Sequence, residues 1–198
     1  MLREYPKIVA LRDGRLISLR PMDHSDEHAL LDFFRRVPPQ DRLFLKDDVS
    51  DPRIINRWFR NLDYDRVIPI LALHNNWIIG DGTLHRSDHG WSRHVGEIRL
   101  VTDPEFRRQG LGRILAREVF HLALLLKVQK VTAEMMEDQQ DAVRVFSHLG
   151  FRQEALLRNH VCDLEGKLHN LIVMSQDVAE FWRRCEDLVA EALADQSD

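Results

Sequence analysis

A chain of 198 residues, 44% hydrophobic and 30% charged, has the make-up of one globular domain with a sizeable core. Its net charge of −4 argues against a nucleic-acid binder that works through a broad basic surface, so nucleic acid is not an expected partner. Cys162 and Cys185 make no disulfide framework, MLREYPKIVALRDGRL lacks the apolar core of a signal peptide, and the longest apolar run, LALLL (122–126), cannot span a bilayer. The expectation is a cytoplasmic protein with no membrane partner.

RLISLRPM (15–22) alternates polar and apolar residues as a half-buried strand does. Pro21 ends it. Asp23 can then cap a helix with Ala29, Leu30, Phe33, Phe34 and Val37 at helical spacing, stopped by Pro38 and Pro39. Residues 51–62 read as a second short helix, with Ile54, Ile55, Trp58 and Phe59 on one side. RVIPILALH (66–74) and WIIGDGTLHR (77–86) flank Asn75-Asn76 and predict a tight hairpin. After the polar connection SDHGWSR comes a further strand, HVGEIRLVT (94–102), broken by Asp103-Pro104.

From Leu111 the apolar positions Leu111, Ile114, Leu115, Val119, Leu122 and Leu126 mark one helical face. KVTAEMM (130–136) is a strand, and QQDAVRVFSHL (139–149) is a short helix closed by Gly150. FRQEALLRNHVCDLEGKLHNLIVMSQ (151–176) reads as a hairpin turning at DLEG. Over 177–195, Val178, Phe181, Trp182, Cys185, Leu188, Val189 and Ala192 form one apolar stripe opposite acids and arginines. That amphipathic helix either docks on its own sheet or serves a homodimer contact. The domain reading is therefore 1–176, with 177–198 as an added helix.

FRRQGLGRI (106–114) is the densest local signal. Its glycines fall at the start of a helix that follows a strand. The first helical turn leaves backbone N–H groups without partners, and the helix dipole adds positive potential there. Glycines remove the side chains that would keep a phosphate from those amides, and Arg107, Arg108 and Arg113 add charge. Taken alone, the stretch also reads as a glycine-softened helix start with surface arginines. No Lys-Ser/Thr follows, so it is no nucleotide-triphosphate loop. No third glycine follows either, since the sixth residue from Gly110 is Leu115, so a dinucleotide fingerprint fits poorly.

Residues 14–176 resemble the GNAT superfamily of acetyl-CoA-dependent N-acetyltransferases. Arg107-x-x-Gly110-x-Gly112 is similar to that family's Arg/Gln-x-x-Gly-x-Gly/Ala pyrophosphate loop, and TDPEFRRQGLG to its usual lead-in. AVRVFSHLGF is similar to its late Ala-x-x-x-aromatic-x-x-x-Gly-Phe helix, and LRNHVCDLEGKLHNLIVMS to the closing hairpin of bacterial members. The resemblance implies an α/β (α+β) fold: a mixed, mostly antiparallel sheet flanked by helices and splayed between the fourth and fifth strands, here with an extra C-terminal amphipathic helix. It implies acetyl-CoA as cosubstrate and an amine as acceptor; no metal is expected, because no Cys or His group shows ligand spacing. Pantetheine would pair with the fourth strand at Leu100, Val101 and Thr102. The pyrophosphate would take backbone N–H bonds from Gln109, Gly110, Leu111, Gly112 and Arg113, beside Arg107 and Arg108.

In the mechanism so implied, the amine attacks the thioester directly. A carboxylate takes its proton, and a fourth-strand N–H polarises the carbonyl. Glu97 matches the glutamate many relatives use as base, and Glu134 on the fifth strand is the reserve; either could instead be a strand carboxylate paired with a nearby cation. Phe146 stands in the cofactor-side position where many relatives carry a tyrosine that protonates the CoA thiolate, and Gln139 replaces a common asparagine. Water, Ser147 or His148 could supply that proton. The departure at Phe146 keeps a non-catalytic acyl-CoA sensor or interaction module as the alternative.

His85, His89 and His94 straddle a loop without a ligand pattern and read as surface or acceptor-side residues. His160 and His169 read as an exposed pair near the last turn. ISLRPMDHSDEHALLDFFRRVPP also resembles bacterial relatives of protein-lysine acetyltransferases, so a protein lysine and a small-molecule amine are both open as acceptors.

Overall fold

The computed structural model describes residues 4–42, 45–87 and 89–183. Eight strands form one sheet in the order β1-β2-β3-β4-β5-β6-β8-β7. They are β1 (Lys7–Ala10), β2 (Leu16–Pro21), β3 (Val67–His74), β4 (Trp77–Arg86), β5 (Val95–Thr102), β6 (Lys130–Met136), β7 (Arg152–Cys162) and β8 (Leu168–Asp177). The helices are α1 (Glu27–Arg36), α2 (Pro39–Arg42), α3 (Pro52–Arg60), α4 (Leu111–Leu125) and α5 (Gln140–His148). Of the strand pairs, β5–β6 runs parallel and the others antiparallel. This is the mostly antiparallel mixed sheet expected. The expected fourth and fifth strands are β5 and β6, because β1 precedes them.

Local chemistry explains the main joints. Asn75 and Asn76 both have positive φ, as a two-residue hairpin turn between β3 and β4 requires. Asp23 caps a 3-10 turn, His24–Asp26, rather than α1 itself, and Asp26 is pinned by a bidentate pair with Arg20 at 2.7 and 2.6 Å. Leu30, Phe33, Phe34 and Val37 are buried as the helical spacing predicts, but Ala29 is exposed. A ten-residue helix simply turns Ala29 past the edge of its buried stripe. The chain is extended at Val37, and Pro39 then opens the single turn α2, since proline suits a first helical position.

The strand residues alternate between two cores. Ile68, Ile70, Leu84 and Ile98 pack with Leu111, Leu115 and Val119 of α4. Leu71, Leu73 and Ile78 pack with Phe33 and Phe34 of α1 and Ile55 and Phe59 of α3. Gly80 and Gly82 of β4 lie against α4. A Cβ on either would come within 2.9 or 3.2 Å of Leu115, so the glycines let α4 settle on the sheet. By strand alternation, Asp81 between them faces the α1 and α3 side.

Residues 178–183 are helical. Val178 and Phe181 are buried there, and the Phe181 ring stacks on Phe120 of α4 at 4.2 Å. This segment packs against α4. Cys185, Leu188, Val189 and Ala192 lie outside the described residues. Among the described residues, no helix is long and apolar enough to cross a membrane.

Candidate active site

Strand β5 pairs with β6 only over Val95–Glu97 and Lys130–Thr132 among the described residues. Beyond Glu97 the strands part, and β6 continues beside β8 as far as Met136 and Leu171. The splay opens into a cavity of about 390 Å³ on the α1 and α3 side. Leu30, Phe34 and Trp58 line its helical wall, with Leu62 just beyond α3, and Leu100, Val101, Glu134 and Phe146 line the splay.

The β4–β5 register sets the polar wall. Asp81 faces Val101, Thr83 faces Arg99, and His85 faces Glu97. Directly opposed residues share a sheet face, so these six side chains form one surface. Glu97 accepts hydrogen bonds from Arg99 Nε at 2.9 Å and Lys46 Nζ at 2.6 Å. The same Lys46 Nζ lies 2.6 Å from Glu134 Oε2 on β6. One ammonium from the loop before α3 therefore bridges the two expected carboxylates across the splay.

Environment separates these groups. Burial opposes the charged form of Glu97, but the bonds from Arg99 and Lys46 outweigh it and hold its carboxyl below the usual range. Asp81 accepts a hydrogen bond from Thr83 Oγ1 at 3.0 Å and feels the Arg99 cation. Desolvation nevertheless dominates at its carboxyl and pushes it up to about 7. Burial, with help from Arg99, lowers His85 to about 4, so its imidazole is neutral at physiological pH. His85 lines the cavity. Among the described residues, no group of three or more His, Cys, Asp or Glu side chains is arranged to hold a metal ion.

The glycine turn closes the far end of β5. Gly110 caps α4 with φ of 88°, a left-handed conformation that glycine takes without strain. The bond from Ile114 N–H to Gly110 C=O starts the helix ladder, so Leu111, Gly112 and Arg113 keep outward N–H groups. A Cβ on Gly112 would meet nothing within 4 Å. The cradle thus has free donors and open space, which suits a pyrophosphate. Arg107 reaches Asp41 of α2 at 2.7 Å. Arg12, in the β1–β2 turn, donates its backbone N–H to Gln109 C=O at 3.1 Å, and its side chain lies along Gly110.

Phe146 is buried, lines the cavity and packs edge-on against Phe151 at 4.9 Å. Ser147 and His148 on the same helix are exposed and do not line the cavity. Gln139 lines it while its side chain accepts the Met136 N–H at 2.9 Å. His160 is exposed as expected. His169 is not: it is 8% exposed, with Nδ1 2.8 Å from Asp138 and Nε2 2.7 Å from Asp163. Two aspartates brought in from separate turns draw that ring inward. Reading the sequence missed Asp81, Lys46, Arg99 and Arg12. An aspartate between two glycines, just after the apolar run Trp77-Ile78-Ile79, is the signal for Asp81.

The model of the acetyltransferase (GNAT) family matches residues 27–151, more than half the chain. No curated protein matches it. Solved structures with the same fold include the GNAT-family acetyltransferase of Streptococcus pneumoniae, at 21% identity and a TM-score of 0.70, covering 81% of this chain and 99% of that one. The GNAT domain of S. lividans PAT follows at 16% identity and a TM-score of 0.74, covering 88% and 98%. YncA from Salmonella typhimurium, solved with its cofactor acetyl-CoA, has 16% identity and a TM-score of 0.69, covering 82% and 94%. The splayed sheet, the glycine turn and the family match agree: this chain belongs to the acetyltransferase (GNAT) family, whose members transfer the acetyl group of acetyl-CoA.

Proposed function

We propose that this acetyltransferase acetylates a primary amine, on a small molecule or a protein lysine, by direct attack on the thioester. The observation that carries the reading is the cavity in the splay, with carboxylates on both of its walls and an open anion cradle at the end of β5. Gln109, Gly110, Leu111, Gly112 and Arg113 take the pyrophosphate through backbone N–H groups, and Arg108 adds charge. Arg107 joins them by releasing Asp41, an exposed pair worth at most about 1 kcal/mol. Leu100, Val101 and Thr102 pair with pantetheine along the unpaired edge of β5, and Phe146 packs against its thiol end.

Glu97 and Glu134 receive the acceptor as an ammonium where Lys46 now lies. Glu97 takes the amine proton. Asp81, pushed up to about 7 on the same wall, is a second carboxyl able to take up a proton there. A β5 backbone N–H stabilises the oxyanion. Phe146 gives no proton, so the thiolate leaves to solvent.

The test supplies acetyl-CoA and a panel of amines and lysine peptides, read by thiol release. Amine-dependent release supports the reading. Acetyl-CoA bound without amine-dependent release favours the non-catalytic binding module instead.

A further inference from the structure

We propose that the active site acetylates its own Lys46. The inference rests on the acetyl-transfer reading above. Lys46 Nζ sits 2.6 Å from a carboxylate oxygen on each side of the splay, in the position that reading gives to the acceptor amine. It is therefore an acceptor already in place, tethered by the chain. The chain has five lysines: Lys7, Lys46, Lys127, Lys130 and Lys167. Lys46 lines the cavity and the other four do not. Lys7 pairs with Glu118 of α4, and Lys130 pairs with Glu154 of β7.

The step balances without a further reactant. The Lys46 ammonium loses a proton to Glu97, and the neutral Nζ attacks the thioester carbonyl. A C–N bond forms and the C–S bond breaks. Coenzyme A leaves as its thiolate and takes up a proton, so the products are Nζ-acetyl-lysine and free thiol. The lysine is 39% exposed at its side chain, so its two ion pairs are screened by solvent and leave the side chain room to shift.

The modification has a consequence for the site. Acetylation removes the ammonium and breaks both ion pairs. Burial then acts on Glu97 against Arg99 alone, and its carboxyl moves up from its lowered position. The two carboxylates also become free for an incoming amine. Self-acetylation would prime the enzyme by clearing its own acceptor position.

The experiment incubates the full chain with acetyl-CoA and no added amine, then reads acetyl occupancy lysine by lysine by mass spectrometry. Lys46 should gain its acetyl group about tenfold or more faster than the other lysines, because it is held in the site. The rate should not change on dilution, since the reaction is within one chain. Lys46→Arg, which keeps the positive charge but offers no amine, should remove that fast phase. Lys46→Gln should lower KM for an external amine. Lys46 acetylation at the background rate of the other lysines, in protein that still acetylates an external amine, overturns the proposal and leaves the transfer reading standing. Failure of both reactions with acetyl-CoA bound overturns that reading as well.

Discussion

Asp81 of β4 stands directly opposite Val101 of β5, on the cavity face of the sheet. That places a desolvated carboxyl beside the strand edge to which we assign the pantetheine arm. Pushed up to about 7, it is ionised, and so able to act as a proton acceptor, only as pH rises through neutrality. The rate of acetyl transfer should therefore rise across about pH 6 to 8. Asp81→Asn should remove that limb and lower kcat. A pH profile of wild type and variant checks it; an unchanged limb in the variant assigns the titration elsewhere.

The same residue links activity to stability. The Asp81 pKa is raised above its ordinary value of 3.8, so the folded state binds that proton more tightly than the unfolded chain does. Stability is then lost as pH rises from about 4 to about 7, by a few kcal/mol at most. Asp81→Asn should raise Tm at about pH 8 and leave it nearly unchanged at about pH 4. Thermal unfolding at the two pH values measures this directly.

Glu97→Gln removes the carboxylate that meets both Arg99 and Lys46. We expect kcat/KM for the amine to fall by about a hundredfold or more, the usual worth of a general base. Acetyl-CoA binding should hold within a factor of about three, because Glu97 lies apart from the glycine turn. Steady-state kinetics with both substrates varied separates the two effects.

Gly112→Asp tests the cofactor cradle without harming the fold. The position is in open space in the first turn of α4, where an acidic residue favours the helix dipole by a few tenths of a kcal/mol. The same carboxylate would stand in the pyrophosphate's place. Tm should hold or rise slightly, while coenzyme A affinity falls about tenfold or more. Calorimetric titration beside thermal unfolding reads both. Unchanged affinity would move the pyrophosphate elsewhere.

His169 binds Asp163 and Asp138, and hydrogen bonding to Asp163 is the main cause of its raised pKa. A raised folded-state pKa gives stability that is complete below about 6.5, the unfolded value, and is lost as pH rises through the higher folded value. His169→Asn should lower Tm more at about pH 5.5 than at about pH 8.5. An equal loss at both would show that the staple holds in the neutral state.

The glycine turn was legible because its chemistry is local. Successive residues carry the anion cradle, and the helix that follows declares itself by periodicity. β1 was not legible: KIVA is a four-residue edge strand with too short an alternation to stand out, although Asp13-Gly14 signals the turn after it. Glu97 could be placed on a strand but not on a face, since a one-residue change of register reverses it. Lys46 lies 51 residues from one carboxylate partner and 88 from the other, and nothing local binds it to either. His169 failed for the same reason, because its aspartates arrive from two turns.

Product and thiol measured in one reaction test the central claim most directly. Wild-type protein, acetyl-CoA and a cationic primary amine should give one acetylated amine for each coenzyme A thiol released. Gly112→Asp should lower both together at cofactor concentrations that just saturate wild type. Bound acetyl-CoA that yields no acetylated amine with any acceptor, or thiol released without amide formed, would contradict the account.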